Sequence, residues 1–304
     1  MVASNGQSPW GTPWPTDANP RPTFSLVFLT WNAGETIIQS LKSVKRQSFS
    51  DYEVVLVDND SHDDTVALVR EAYADDSAIR IIENDHNRGF SRGIEQGVRA
   101  SSGRYICCYN HDTVFPENYF HTLDKYVTPD AVWTTARRNH RTSADRQCVR
   151  LLSRYRFTIP YAVDSLSGVA KVNYVPGDGV IIPRQILQGA LGGQVFDPSM
   201  PVRGEDIDLS LRLTTVGVPM RAILDTYSVH PDNEDRYAPT AENFRALTET
   251  VRARVAAHRK NDVSTLALAL AAGSIISTPV VLYSTPYPRS ETAFTEATST
   301  YSLA

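Results

Sequence analysis

Three short acidic clusters carry the residue types that could do chemistry in this sequence: Asp58-Asn59-Asp60, Asn110-His111-Asp112 and Glu205-Asp206. The second is followed by Thr113, so a carboxylate stands beside an amide and a hydroxyl. That is a hard-oxygen setting suited to Mg²⁺ or Mn²⁺. The third falls where a helix is expected to start, and the helix dipole there keeps a carboxylate ionised and able to accept a proton from a hydroxyl. Each cluster has a plainer explanation as well, because Asp and Asn are common in turns and helix caps. What distinguishes these three is that all of them sit at the end of an expected strand or the start of an expected helix.

The elements that must position them are legible from the apolar pattern. Thr23 to Thr30, Tyr52 to Asp58 and Tyr105 to Asn110 are nearly continuous apolar, β-favouring runs, the pattern of strands buried on both faces. Ala78 to Glu83 and Ala131 to Ala136 read as further strands. Between them lie amphipathic helices marked by Ile37, Ile38, Leu41 and Val44; by Val66, Val69 and Tyr73 behind an Asp63 or Asp64 cap; by Phe90, Ile94 and Val98; and by Phe120, Leu123 and Val127. Strands alternating with short helices imply right-handed βαβ units and a mainly parallel sheet, which gathers strand ends along one edge.

Beyond Arg137 the pattern loosens. Arg137 to Leu152 reads as a loop or irregular insertion, and Val172 to Pro183 as two strand pieces around a Gly-Asp-Gly turn in which Asp178 is a turn residue. A helix opens at Gly204-Glu205-Asp206 and ends at Gly217, with Ile207 and Leu211 on its buried stripe. Adjacent helical residues point about 100° apart, so only one of Glu205 and Asp206 can face a substrate. Met220 to His230 reads as a strand, and Ala241 to Lys260 as a surface helix.

Composition narrows the function classes. The 304 residues, 41% hydrophobic and 21% charged, suit one large α/β domain with an appended piece. A net charge of -4 gives no electrostatic case for nucleic acid as the main partner. Cys107, Cys108 and Cys148 have no metal-binding spacing, which favours a reducing, cytoplasmic setting. Residues 1–22 lack the apolar stretch of a signal peptide and read as a mobile arm. Residues 263–283 are uncharged, long enough to span a bilayer and follow a basic flank, so they are a candidate for membrane insertion, for contact with its inner face, or for a helix packed on the domain. Neither GxGxxG nor GxxxxGK[ST] is present, which argues against dinucleotide enzymes and P-loop NTPases.

Four motifs stand in order along the chain: VDNDSHDDT, ENDHNRGFSRGIEQG, SGRYICCYNHDTVFPENY and GGQVFDPSMPVRGEDIDLSLRLTTVG. Together they resemble the inverting family 2 glycosyltransferases of the GT-A fold, over about residues 23–232, and most nearly a rhamnosyltransferase-like subgroup with N-x-D-T in place of D-x-D. The resemblance implies an α/β, Rossmann-like GT-A domain with a nucleotide-sugar-binding half over 23–136, an acceptor-binding half over 137–240, and a helical extension and tail over 241–304. It implies that Thr30, Asn32 and Asp58 hold the nucleotide, and that Asn87, Gly89, Phe90 and Arg92 line the pocket near base and phosphates. Asn110 would bind the donor with His111 beside it, and Asp112 and His230 would hold a Mn²⁺ or Mg²⁺ ion. Asp206, more than Glu205, would be the catalytic base. The implied partners are a nucleotide-diphosphate sugar and a glycan or lipid-linked acceptor. His111 stands where relatives often carry Asn or Pro, and Asp60 where they often carry Gly. A sugar nucleotidyltransferase is the rival enzyme reading, although the TWNAGET turn lacks the basic residue such enzymes use; a catalytically silent carbohydrate-binding or scaffold relative is the rival outside enzymes.

Overall fold

A computed structural model describes residues 22–138, 147–152, 158–199 and 204–230. The first half alternates as expected: β1 (Phe24–Thr30), α1 (Glu35–Lys45), β2 (Tyr52–Asp58), α2 (Thr65–Tyr73), β3 (Ile79–Glu83), α3 (Phe90–Ala100), β4 (Tyr105–Asn110), α4 (Tyr119–Tyr126) and β5 (Val132–Arg138). There follow β6 (Gln147–Leu152), β7 (Thr158–Ala162), β8 (Val169–Val172), β9 (Val180–Pro183), α5 (Arg184–Gln188), α6 (Glu205–Thr215) and β10 (Met220–Val229).

One sheet runs in the order β3-β2-β1-β4-β9-β5-β10-β8, with β6 and β7 branching from β5. The pairs β3–β2, β2–β1, β1–β4 and β5–β10 are parallel, whereas β9 is antiparallel to both β4 and β5. The carboxyl ends of β1, β2, β4, β5 and β10 therefore share one edge. β9 runs the other way and begins at that edge.

The continuous apolar runs are explained by the layers. In β1, Phe24, Leu26 and Phe28 pack with α1 and α4, while Val27 and Leu29 pack with α3 and α6 on the opposite face. Cys107 and Cys108 split between the faces in the same way, as adjacent strand residues must. Helix α3 lies so close to β1 that a Cβ on Gly97 would come within 2.4 Å of Val27 Cγ1, and one on Gly93 within 2.4 Å of Leu29 Cδ1. Those two glycines set the depth at which α3 docks, and with it the position of the Phe90 end of the helix.

The expectation of a loop across Arg137 to Leu152 is corrected in part. Arg137 and Arg138 extend β5, and Gln147–Leu152 is a strand whose Cys148 pairs with Arg137. The charges hid it: Arg150 is exposed, while Cys148, Val149, Leu151 and Leu152 around it are buried. The proposed helix over 241–260, the segment 263–283 and most of the N-terminal arm lie outside the described residues. Among the described residues, no helix is long and apolar enough to cross a membrane.

Candidate active site

The end of β2 is tied into its own turn. Asp58 is buried, and its two oxygens accept the Ser61 backbone N–H (3.0 Å) and hydroxyl (2.6 Å). Beside it, Thr30 and Asp58 are register partners, and Thr30 O accepts Asn59 N at 2.9 Å. Asn32, at φ 48°, completes this corner: its N–H reaches Ser61 Oγ (2.9 Å) and its Oδ1 accepts His62 N (2.8 Å). The exposed Trp31 lies between the two.

Asn59, named in the first acidic cluster but given no role of its own, joins this corner to the next loop. Its Nδ2 donates to Asn87 Oδ1 (2.8 Å), and its Oδ1 accepts Arg88 N (2.9 Å) and Asn84 Nδ2 (3.2 Å). Asn87 Oδ1 in turn accepts Gly89 N at 2.9 Å, and Gly89, at φ 78°, opens α3. Phe90 then packs its ring 5.7 Å from that of Phe196, while Arg92 faces solvent. Thr30, Asn32, Asp58, Asn87, Gly89 and Phe90 are thus brought along one rim by short polar links, and the exposed Arg92 follows on the first turn of α3.

The second corner joins β4 to β10. Val114 and Val229 exchange backbone hydrogen bonds of 2.8 Å, which folds the turn after β4 against the end of β10. His230 Nε2 consequently stands 3.1 Å from Asp112 Oδ1 and 3.2 Å from Asn110 Nδ2. Burial would raise the Asp112 carboxyl, but the hydrogen bond and charge of His230 and the charge of His111 outweigh it and hold it below the usual carboxylate value. Burial pushes the His111 imidazole down, against the pull of Asp112. Its carbonyl is held by Ser40 Oγ at 2.6 Å.

The donor chemistry of this pair fits a divalent ion. Two ligands bound side by side to one octahedral ion at about 2.1 Å lie about 3 Å apart, close to the 3.1 Å between His230 Nε2 and Asp112 Oδ1. Among the described residues no group of three His, Cys, Asp or Glu side chains is placed to hold a metal by itself. Oxygens of a ligand would have to complete the shell, as happens for Mg²⁺ bound with phosphates.

Asp178, expected to be a turn residue or a contact for the acceptor, lies inside this corner. Its Oδ1 accepts Asn110 N and Thr113 Oγ1, each at 2.9 Å, and its Oδ2 is bridged by the Arg137 guanidinium. No signal in the chain could have placed it there, because β9 reaches the site from an antiparallel direction.

The acidic pair opens α6 after Gly204, at φ 85°. Its two members diverge as helix geometry demands. Asp206 accepts the hydroxyl of the buried Tyr174 and lies partly open, whereas Glu205 is buried with its Oε1 3.1 Å from where a Cβ on Gly177 would stand. Phe90 and Phe196 border the same spot.

The model of one family, described as glycosyl transferase family 2, matches residues 25–188, more than half of the chain. The chain belongs to glycosyl transferase family 2. Among relatives, it is 30% identical over 94 residues to UDP-Glc:alpha-D-GlcNAc-diphosphoundecaprenol beta-1,3-glucosyltransferase WfgD of Escherichia coli, covering 31% of this chain and 36% of that one. It is 33% identical over 105 residues to the succinoglycan biosynthesis protein ExoO of Rhizobium meliloti, covering 34% and 30%. The aligned stretch thus spans about a third of such relatives. In fold, it is similar to GalNAc-T7 crystallised with UDP, GalNAc and Mn²⁺, with a TM-score of 0.62 at 14% identity, over 80% of this chain and 48% of that one. It is likewise similar to S. aureus TarS 1-349 with UDP-GlcNAc, with a TM-score of 0.55 at 14% identity, over 84% and 72%. The family is one of glycosyl transferases, and the neighbours share the GT-A architecture.

Proposed function

We propose that this family member moves a sugar from a nucleotide-diphosphate donor to a hydroxyl of a glycan or lipid-linked acceptor, with inversion and with Mn²⁺ or Mg²⁺. The observation that carries the reading is the Asp112–His230 pair, spaced 3.1 Å apart at the edge where the parallel strands end. The solved neighbours with UDP and Mn²⁺, and the E. coli relative whose acceptor is diphosphoundecaprenol-linked, support the donor, metal and acceptor classes. A rhamnosyltransferase-like specificity, and work at the cytoplasmic face with residues 263–283 near lipid, belong to the same proposal.

In this reading, the rim from Thr30, Asn32 and Asp58 through Asn87, Gly89, Phe90 and Arg92 holds the nucleoside, and Asn110 with His111 borders the donor. A metal held by Asp112 and His230 would neutralise charge on the departing diphosphate. Asp206 takes the proton of the acceptor hydroxyl as that oxygen bonds to the anomeric carbon and the bond to the diphosphate oxygen breaks. A single displacement from the opposite face inverts that carbon, and Glu205 braces the helix start. The nucleotidyltransferase and non-catalytic readings predict no such product. The deciding experiment screens nucleotide sugars by thermal shift with and without Mn²⁺, then assigns the anomeric configuration of the transferred sugar by NMR. Retained configuration, or transfer unaffected by EDTA, would refute the proposal.

A further inference from the structure

The side chain that joins the most parts of the site is Asp178, which belongs to none of the roles assigned so far. It is 7% exposed and sits just ahead of β9, the strand that starts at the edge where its neighbours end. Oδ1 takes the N–H of Asn110 and the hydroxyl of Thr113, the first and last residues of the turn that carries His111 and Asp112. Oδ2 takes the guanidinium of Arg137 at the end of β5, and lies 3.9 Å from His230 Nε2 at the end of β10. One carboxylate therefore bridges β4, β5 and β10. Three of its roughly four acceptor positions are taken by these donors, which suits it to holding the turn in place.

Two glycines make that placement achievable. Gly179, at φ 98°, occupies the left-handed region and donates its N–H to Cys108 O at 2.8 Å, which fixes the turn against β4. Gly177 leaves room for Glu205 on the other side. The carboxylate is thus fixed from both flanks before any ligand arrives.

We infer that Asp178 is a positioning residue, holding the Asn110–Thr113 turn and Arg137 so that Asp112 and His230 meet a metal-bound diphosphate in one geometry. This inference rests on the metal reading above. Groups that orient metal ligands typically matter by about 10- to 100-fold in affinity, and here the orientation acts through the backbone of the ligand's own turn.

The test is Mn²⁺ uptake in the presence of UDP, read from loss of the free-ion EPR signal, on parent, Asp112→Asn, Asp178→Asn and Thr113→Val. Asp178→Asn keeps an acceptor for Asn110 but turns an amide toward Arg137; Thr113→Val removes one clamp and leaves the carboxylate. The expected result is about a 10- to 100-fold weaker Mn²⁺ affinity in Asp178→Asn, a smaller loss in Thr113→Val, and unchanged UDP affinity in EDTA for both. If Asp178→Asn does not fold, Thr113→Val decides alone. Uptake lost in Asp112→Asn but retained in both Asp178→Asn and Thr113→Val overturns this inference and leaves the metal reading standing. A parent that takes up no Mn²⁺ with UDP overturns both. Equal weakening of UDP binding with and without metal marks Asp178 as general support of the fold, and also overturns the inference.

Discussion

The Tyr174 hydroxyl donates to Asp206 Oδ2, linking the run into β9 to the first turn of α6. Tyr174 is 4% exposed and packs with Leu152, Ile207 and Leu211, so its ring has little freedom and the carboxylate inherits that rigidity. Hydrogen bonds to charged groups contribute about 1.5–3 kcal/mol. Tyr174→Phe is expected to lower kcat about tenfold or more with little change in donor KM. Asp206→Asn is expected to cost about 10² to 10⁴ in kcat, and Glu205→Gln less. A larger kcat loss in Glu205→Gln than in Asp206→Asn reverses the assignment of the base.

Asp112→Asn keeps the size of the side chain but removes its charge. Calorimetric titration with UDP should show Mn²⁺-dependent affinity falling about tenfold or more, with the circular dichroism melt unchanged. Equal affinity in mutant and parent, with and without chelator, removes Asp112 from the metal site.

Gly177→Ala tests the crowding around Glu205. The added methyl would meet Glu205 Oε1 at 3.1 Å and the rings of Phe196 and Phe90 at 3.6 Å. The side chains must give by a few tenths of an ångström, an overpacking cost of about 1 kcal/mol. The expected outcome is a modest fall in thermal midpoint and a clear fall in kcat/KM; unchanged kinetics would show that Glu205 can move without consequence.

Glu95 gives a pH dependence of stability. Burial in α3 pushes its carboxyl up to about 7, against the N–H groups of Phe196 and Val195 and the charges of Arg99 and Arg212. The folded value lies above the ordinary 4.5, so the folded state holds the extra proton between those two pH values. Stability from this group is full below pH 4.5 and is lost as pH rises through 7. Glu95→Gln, which keeps an acceptor for Phe196 N, should melt higher than the parent at pH 8 and close to it at pH 4.5, with a difference on the order of 3 kcal/mol at most. Parallel melting curves across that range would contradict it.

Much of the first half was legible because β1, β2 and β4 are covered on both faces and the helices between them on one. Period and burial then coincide, and the runs ending in Thr30, Asp58 and Asn110 announce themselves. Gly204-Glu205-Asp206 was legible for a similar local reason, as a glycine and two acids at a helix start. What escaped was non-local. Asp178 looks like any turn aspartate until β9 is known to lie between β4 and β5, and that order is written in no neighbouring residues. Asn59 drew no role of its own because it is a middle residue between two acids, although it is the one that crosses to Asn87. Strand β6 was hidden by the arginines around and within it, although four of its six residues are buried.

The position of β9 has a consequence for how the chain assembles. β4 and β5 follow one another in sequence, yet the space between them is filled by residues 180–183. On the ribosome, the first four strands can pair as they emerge, but β5 must wait with an open edge until those later residues are made. Exposed strand edges are points of misassembly during synthesis, so residues 132–183 are the stretch over which a nascent chain is most in need of shelter.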